Sequence, residues 1–325
     1  MNRRQILQGT ALATLLAGRA QAQAKQAYPT RSISLVIGYA PGGTADISWR
    51  IIAPKLAERL GQSIVVQNKP GAGGIIASQA VLQAPADGYT FILAATGNFG
   101  ITPVLFKLLP FDAVKDFQMV SLAADFDYVF AVKADSPFKT VKDVIAYARQ
   151  NPGKLTIGTV QVGSAQFFAA ELFKSMAGIS AVTVPFHTSG DVVRAVRAGD
   201  AQVMVETIAP VISQIGAGVL RAIGITGSEP FPGLPGVPPI SRSGLDDYVV
   251  TAWNGLAAKA GTPRAAVDRV NRELAVVLAM PEVKSRFLKL GMVARHSTPE
   301  ELRARQLEDI KKWGAVMQSA HIQKQ

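Results

Sequence analysis

Residues Tyr39-Ala40-Pro41-Gly42-Gly43-Thr44-Ala45-Asp46 carry the chemistry most readily read from this chain. They close an apolar run, Ile33-Ser34-Leu35-Val36-Ile37, and open a segment of helical periodicity. A glycine pair at such a strand-to-helix turn leaves backbone N–H groups bare at a helix N-terminus. That terminus carries about half a positive charge and receives small anions without a cationic side chain. A phosphate loop of the Walker type would end in Gly-Lys-Ser/Thr, which is absent here. The turn therefore points to a carboxylate rather than to a nucleoside triphosphate.

Catalytic constellations do not assemble. His187, His296 and His321 are scattered and lack metal-ligand spacing. Ser164 follows a glycine without the Gly-x-Ser-x-Gly elbow. Gly71-Ala72-Gly73-Gly74-Ile75-Ile76 misses the last glycine of a dinucleotide fingerprint and follows a proline loop. No residue pair has an evident acid–base role, so the expectation is a binder and not an enzyme, with no catalytic residue, metal or cofactor. The chain has no cysteine. That excludes disulfides, thiolate catalysis and zinc–cysteine sites, and it suits a bacterial periplasm.

The N-terminus reads as an export signal over residues 1–24. Asn2-Arg3-Arg4-Gln5 is a positive n-region, Gly9 to Gly18 a short apolar stretch, and Ala20-Gln21-Ala22 and Ala22-Gln23-Ala24 fit small-x-small cleavage. Arg3-Arg4 before Gln5-Ile6-Leu7 also resembles a twin-arginine signal, and the ordinary secretory reading stands beside it. The expected location is the periplasm. The formal charge is +11, and removing Arg3, Arg4 and Arg19 leaves 31 Lys and Arg against 23 Asp and Glu, a net of +8. Export and the absence of a basic run argue against a nucleic-acid partner. A field favouring anionic ligands, or simple solubility, is the milder reading.

The elements that must position the glycine turn alternate in type, the pattern of an α/β protein with largely parallel sheets. Strands are expected at 33–39, 64–67, 89–95, 129–132, 155–159, 182–186, 201–205, 222–226 and 249–253. Helices are expected at 47–60, 141–150, 165–176, 263–278 and 299–320, with another opened by Pro70-Gly71-Ala72-Gly73-Gly74. Trp49, Ile52, Ala53, Leu56 and Leu60 form one apolar face, and Pro54 lies off it as a potential kink. The five prolines of 229–239 make a loop. At this length two domains are expected.

The ordered blocks resemble the substrate-binding proteins of tripartite tricarboxylate transporters, the Bordetella uptake or Bug family. Tyr39 to Asp46 matches its first loop. Gln67-Asn68-Lys69-Pro70-Gly71-Ala72-Gly73-Gly74 is close to its E-N-R-P-G-A-G-G block, and Pro85-Ala86-Asp87-Gly88-Tyr89-Thr90 follows its P-D-G-Y-T block. Asn151-Pro152-Gly153, Val184-Pro185-Phe186, Trp253-Asn254-Gly255-Leu256, Ala260-Gly261-Thr262-Pro263 and Thr298-Pro299-Glu300 continue the match over the mature chain. The resemblance implies a two-lobed periplasmic binding protein of type II, a Venus flytrap, with crossover strands near 129–132 and 249–253. One lobe would hold residues 27–127 plus 248–325 and the other 128–247. The implied function is capture of a small carboxylate (a di- or tricarboxylate, an amino acid or an aromatic acid) by a monomer. Delivery would be to one large and one small integral-membrane transporter subunit. A ligand sensor docking on a signalling membrane protein is the alternative.

In that family a ligand carboxylate is held between two loops, one per lobe, largely by backbone groups and waters. By resemblance the loops are Pro41, Gly42, Gly43, Thr44, Ala45 and Asp46, and the stretch Thr159 to Gln166 with Gln161, Gly163 and Ser164. Gln166 replaces a frequent histidine, which puts that hydrogen bond in doubt, and Glu206 stands where family members often carry Asp. Asp46 either complements its own helix start or meets ligand; Glu206 either accepts from a ligand donor or rims the lobe. Thr188-Ser189-Gly190-Asp191 reads first as a helix cap, with Ser189 in the cleft second. Thr96 and Asn98 are expected at a strand end facing the cleft. Phe167 points off the apolar face of its helix. With Phe99 it is the expected selectivity wall, which would favour an aromatic or otherwise flat acid.

Overall fold

The computed structural model describes residues 28–320 and 322–325. The export signal and His321 lie outside the described residues.

The chain opens with β1 (Ile33–Ile37), α1 (Thr44–Leu60), β2 (Ile64–Asn68), α2 (Ile75–Gln83) and β3 (Thr90–Ala95). β1 lies between β2 and β3, parallel to both. α1 starts three residues earlier than its periodicity suggests and runs unbroken through Pro54. It stops at Gly61, whose φ of 71° suits a glycine C-terminus. After β3 the chain winds through a π-turn, Thr96–Ile101, into the short helix α3 (Thr102–Leu105).

β4 (Phe117–Lys133) is a 17-residue strand, far longer than the run of valines that announced it. Phe117 to Asp127 pair with β9 (Thr251–Lys259), and Tyr128 onward pair with β7 (Val203–Thr207) and β8 (Leu220–Ile225). One strand thus belongs to two sheets. The second sheet is completed by β5 (Leu155–Val160) and β6 (Ala181–Phe186), so the path runs β2-β1-β3-β9-β4-β7-β5-β6. The flanks of this path are parallel. Its centre is antiparallel, because both crossover strands, β4 and β9, run against their neighbours. The largely parallel expectation holds only away from the crossovers.

Helices α4 (Val141–Gln150), α5 (Ala165–Ala177), α6 (Ser189–Ala198) and α7 (Ile212–Gly216) serve the second half of the molecule. The chain then returns through β9 to α8 (Arg264–Ala279), α9 (Pro281–Lys289), β10 (Met292–Ala294) and α10 (Pro299–Ser319). α10 packs on both halves. Leu302 joins the cluster of Phe99 and Trp253, whereas Trp313 meets Phe168 of α5 edge-on at 5.9 Å. Among the described residues no helix is long and apolar enough to cross a membrane.

The joint between the halves is held at Thr226. Its hydroxyl accepts from the Tyr128 amide at 2.8 Å and donates to the Val250 carbonyl at 2.6 Å. Its backbone N–H donates to Tyr128 O, and its carbonyl accepts from Val250 N, each at 2.9 Å.

Candidate functional site

A cleft of about 700 Å³, open mouth included, lies where the two sheets meet. Three helices begin on it: α1 at Thr44, α5 at Ala165 and α6 at Ser189. Their starts differ in one respect. Ser164 caps α5 by accepting from Phe167 N, and Thr188 and Asp191 form a capping box on α6. α1 has Gly43 as its cap and no side-chain acceptor. Its first intrahelical bond is Ile47 N to Gly43 O, so the amides of Thr44, Ala45 and Asp46 keep no helical partner. Among the described residues the cleft lining contains no Lys or Arg, and His187 is the one basic side chain in it. An anion placed here meets dipole ends, amides and hydroxyls rather than a salt-bridge partner.

Of the residues expected to bind ligand, Pro41, Gly43, Thr44, Ala45, Thr96, Gln161, Gln166 and Ser189 line this cleft. The others support its walls from behind. Gly42 takes φ 83° in the turn and donates its amide to Asp46 Oδ2 at 3.0 Å. Asp46 is consumed internally, accepting from Arg50 Nε at 2.9 Å and Asn68 Nδ2 at 3.0 Å as well. Burial would raise its carboxyl, but the Arg50, Gly42 and Asn68 hydrogen bonds outweigh burial and hold it below the usual carboxylate range. It braces the glycine turn and is not among the residues that line the cleft. Thr159 donates to Val160 O, and Gly163, at φ 89°, and Ser164 shape the start of α5.

The expected aromatic wall is corrected. Phe99 is a core residue, 1% exposed and edge-on to Phe117 at 5.1 Å. Asn98 likewise turns inward, accepting from Ala95 N and donating to Leu93 O, both at 2.8 Å. The cause is the π-turn, whose wider winding rotates side chains away from an α-helical or strand register. Gly97 faces the cleft instead, and a Cβ there would sit 2.6 Å from the Tyr39 hydroxyl. Phe167 packs against the cluster that holds Phe168 and Trp313 and does not line the cleft. Aromatic surface is supplied by Tyr39, Phe126, Tyr128 and Trp253. The Phe126 and Tyr128 rings meet edge-on at 6.4 Å. Burial pushes the Tyr39 and Tyr128 hydroxyls above their ordinary range, so both stay protonated donors. The alternation Phe126, Tyr128, Phe130 is the sequence signal that could have found this wall. His187, Thr207 and Asn254 are among the further lining residues missed.

Glu206 lies one layer behind the cleft and is fully buried. Its Oε1 accepts from Gln166 Nε2 at 2.9 Å, from Thr207 N at 2.7 Å and from Thr207 Oγ1 at 3.0 Å. Oε2 is without a well-formed partner among the described residues. Burial raises this carboxyl, against the pull of hydrogen bonds from Gln166, the Thr207 amide, Ser189 and the Thr207 hydroxyl.

Among the described residues no cluster of three or more His, Asp or Glu could hold a metal. The arrangement sets bare helix-start amides and hydroxyls beside an aromatic wall.

The profile of the family described as "Tripartite tricarboxylate transporter family receptor" matches residues 48–322. A protein from the tcbD-tcbE intergenic region of Pseudomonas sp. strain P51 is 34% identical over 314 residues, covering 96% of this chain and 93% of that one. An R. palustris protein solved with adipate is 30% identical with a TM-score of 0.87, over 90% of this chain and 98% of that chain. The periplasmic binding protein BugD is 27% identical with a TM-score of 0.86, over 92% of this chain and all of that chain. The fold is that of the two-lobed periplasmic binding proteins, and the chain belongs to the tripartite tricarboxylate transporter receptor family, of the Bug type.

Proposed function

We propose that this receptor captures a small carboxylate in the cleft between its halves, in the periplasm, and hands it to the integral-membrane subunits of a tripartite transporter. The observation that carries this reading is the convergence of α1, α5 and α6 on a cleft whose lining, among the described residues, has no Lys or Arg. A carboxylate spanning Thr44–Ala45 on one side and Ala165–Gln166 on the other would tie the halves together. That differential contact would favour closure. The lobes would be residues 27–127 plus 248–325 and residues 128–247, with β4 and β9 as the crossovers. Residues Tyr39 to Ala45, Thr96, Gly97, Gln161, Gln166 and Ser189 would form the anion-receiving side. Phe126, Tyr128 and Trp253 would form the face against the ligand body. The protein would act as a monomer without catalysis.

The adipate-bound relative supports a carboxylate as the ligand class. A thermal-shift screen of residues 25–325 tests the reading, using adipate, malate, glutamate and benzoate with their amides as uncharged controls. A rise in Tm with acids alone is expected, since ligand bound to the native state alone raises stability. Equal shifts with the amides, or none with any acid in protein that mass spectrometry shows to be free of co-purified ligand, would reject it.

A further inference from the structure

Gln166, on the cleft, and Glu206, buried behind it, touch each other. Gln166 begins α5 on the cleft and gives its Nε2 to Glu206 Oε1 at 2.9 Å. The same Oε1 receives the Thr207 hydroxyl at 3.0 Å, and that hydroxyl's oxygen accepts from Thr44 Oγ1 at 2.5 Å. Thr44 is the first residue of α1, in the other half of the molecule. The contacts thus form one chain, Gln166–Glu206–Thr207–Thr44, running from one anion-receiving helix start to the other across the cleft. The Thr207 hydroxyl gives its one proton to the Glu206 carboxylate and so accepts from Thr44, which fixes the direction: Thr44 donates to Thr207, and Thr207 to Glu206.

We infer that Glu206 is a positioning residue for ligand capture. Without lining the cleft, it sets the Gln166 amide and the Thr207 hydroxyl so that α5 and α1 reach receiving geometry together when the halves meet. The inference rests on the reading of the cleft as a carboxylate site. Its chemistry follows from the donor count. Oε1 takes three donors, so its role requires an acceptor at that point and not a negative charge. A glutamine there would keep the acceptor, whereas a methionine of similar length would fill the volume and leave Gln166 and Thr207 unheld. Because Thr44 and Glu206 meet only through Thr207, a relay makes their effects non-additive, which independent local packing would not.

The test is titration calorimetry of residues 25–325 with whichever of adipate, malate, glutamate and benzoate raises Tm most. The variants are Glu206→Met, Glu206→Gln, Thr44→Val and Glu206→Met with Thr44→Val. The expected result is affinity at least tenfold weaker in Glu206→Met and within about threefold of the parent in Glu206→Gln. The double variant should be no weaker than the worse single one. Unchanged affinity in Glu206→Met, or strictly additive losses, would overturn the inference. If no acid binds the parent chain, the carboxylate reading fails, and hydrogen exchange still decides the relay. Glu206→Met should then raise exchange at the first turn of α1, on the far side of the cleft, as well as at α5. Faster exchange confined to β7 and α5 would overturn it.

Discussion

The Thr226 hydroxyl accepts from the Tyr128 amide at 2.8 Å, at the residue where β4 passes from the first sheet to the second. It also donates to Val250, which leads into β9. One fully buried side chain therefore binds both crossover strands at the joint. Thr226→Val keeps the shape and removes both bonds, leaving the Tyr128 amide buried without an acceptor. The expected loss is about 1–3 kcal/mol of stability in urea unfolding, with Thr226→Ser close to the parent. Equal stability of the valine and serine variants would refute this role.

Phe126 and Phe99 separate cleft from core. Phe126→Ala, on the cleft wall and only partly buried, should weaken binding of an apolar-bodied acid by roughly 3- to 10-fold, the scale of one aromatic contact, and cost less stability than Phe99→Ala. Phe99→Ala removes a ring packed edge-on to Phe117 and should cost about 3–5 kcal/mol of stability while leaving the ratio of affinities among acids unchanged. Calorimetry and denaturant melts on the two variants check both halves. A selectivity change in Phe99→Ala would return that ring to the site.

How far the sequence carried the reading depends on whether chemistry or winding decides a position. Pro41-Gly42-Gly43 marked the start of α1 because only glycine relieves the turn and no side chain competes for its bare amides. The α4 and α10 starts were equally legible, since Thr140 with Asp143 and Thr298 with Glu301 form capping boxes. Asn98 and Phe99 were not, because a π-turn leaves no trace in periodicity yet rotates every side chain after it. β4 was read short for a related reason. Register shifts at Met119–Ser121 and Leu122–Ala124 break its alternation, hiding the half that carries Phe126. α9 and β10 went unseen because Pro281–Lys289 has few apolar positions and Met292–Ala294 is only three residues long.

Asp127 adds a pH dependence to the joint. Burial, with the neighbouring Asp125 carboxylate adding to it, pushes its carboxyl up to about 6. A carboxyl raised in the folded state favours folding while protonated. Its contribution is full below the unfolded value near 4, declines as pH rises toward 6, and is absent above that. Asp127→Asn should therefore be more stable than the parent at pH 7, by at most about 3 kcal/mol. The two should converge at pH 4. Chemical denaturation across that range is the measurement, and a constant difference between the proteins would exclude titration of Asp127 as the cause.

Asp46 has the opposite sign. Held below the usual carboxylate range, it stabilises the fold above the unfolded value near 4, and that contribution is lost as pH falls through its own lower one. Its partners are unequal in burial. The Arg50 side chain is 53% exposed, so solvent screens that pair and most of the effect resides in the Gly42 amide and Asn68 bonds. Asp46→Asn should cost about 1–2 kcal/mol at pH 7, with the gap narrower at pH 3. Since Gly42 loses its charged acceptor, the glycine turn loosens. Affinity for a bound acid should fall even though Asp46 does not line the cleft. Urea melts at both pH values and calorimetry at pH 7 measure the two effects. Tighter binding in Asp46→Asn would mean that the carboxylate repels the ligand and faces the cleft after all.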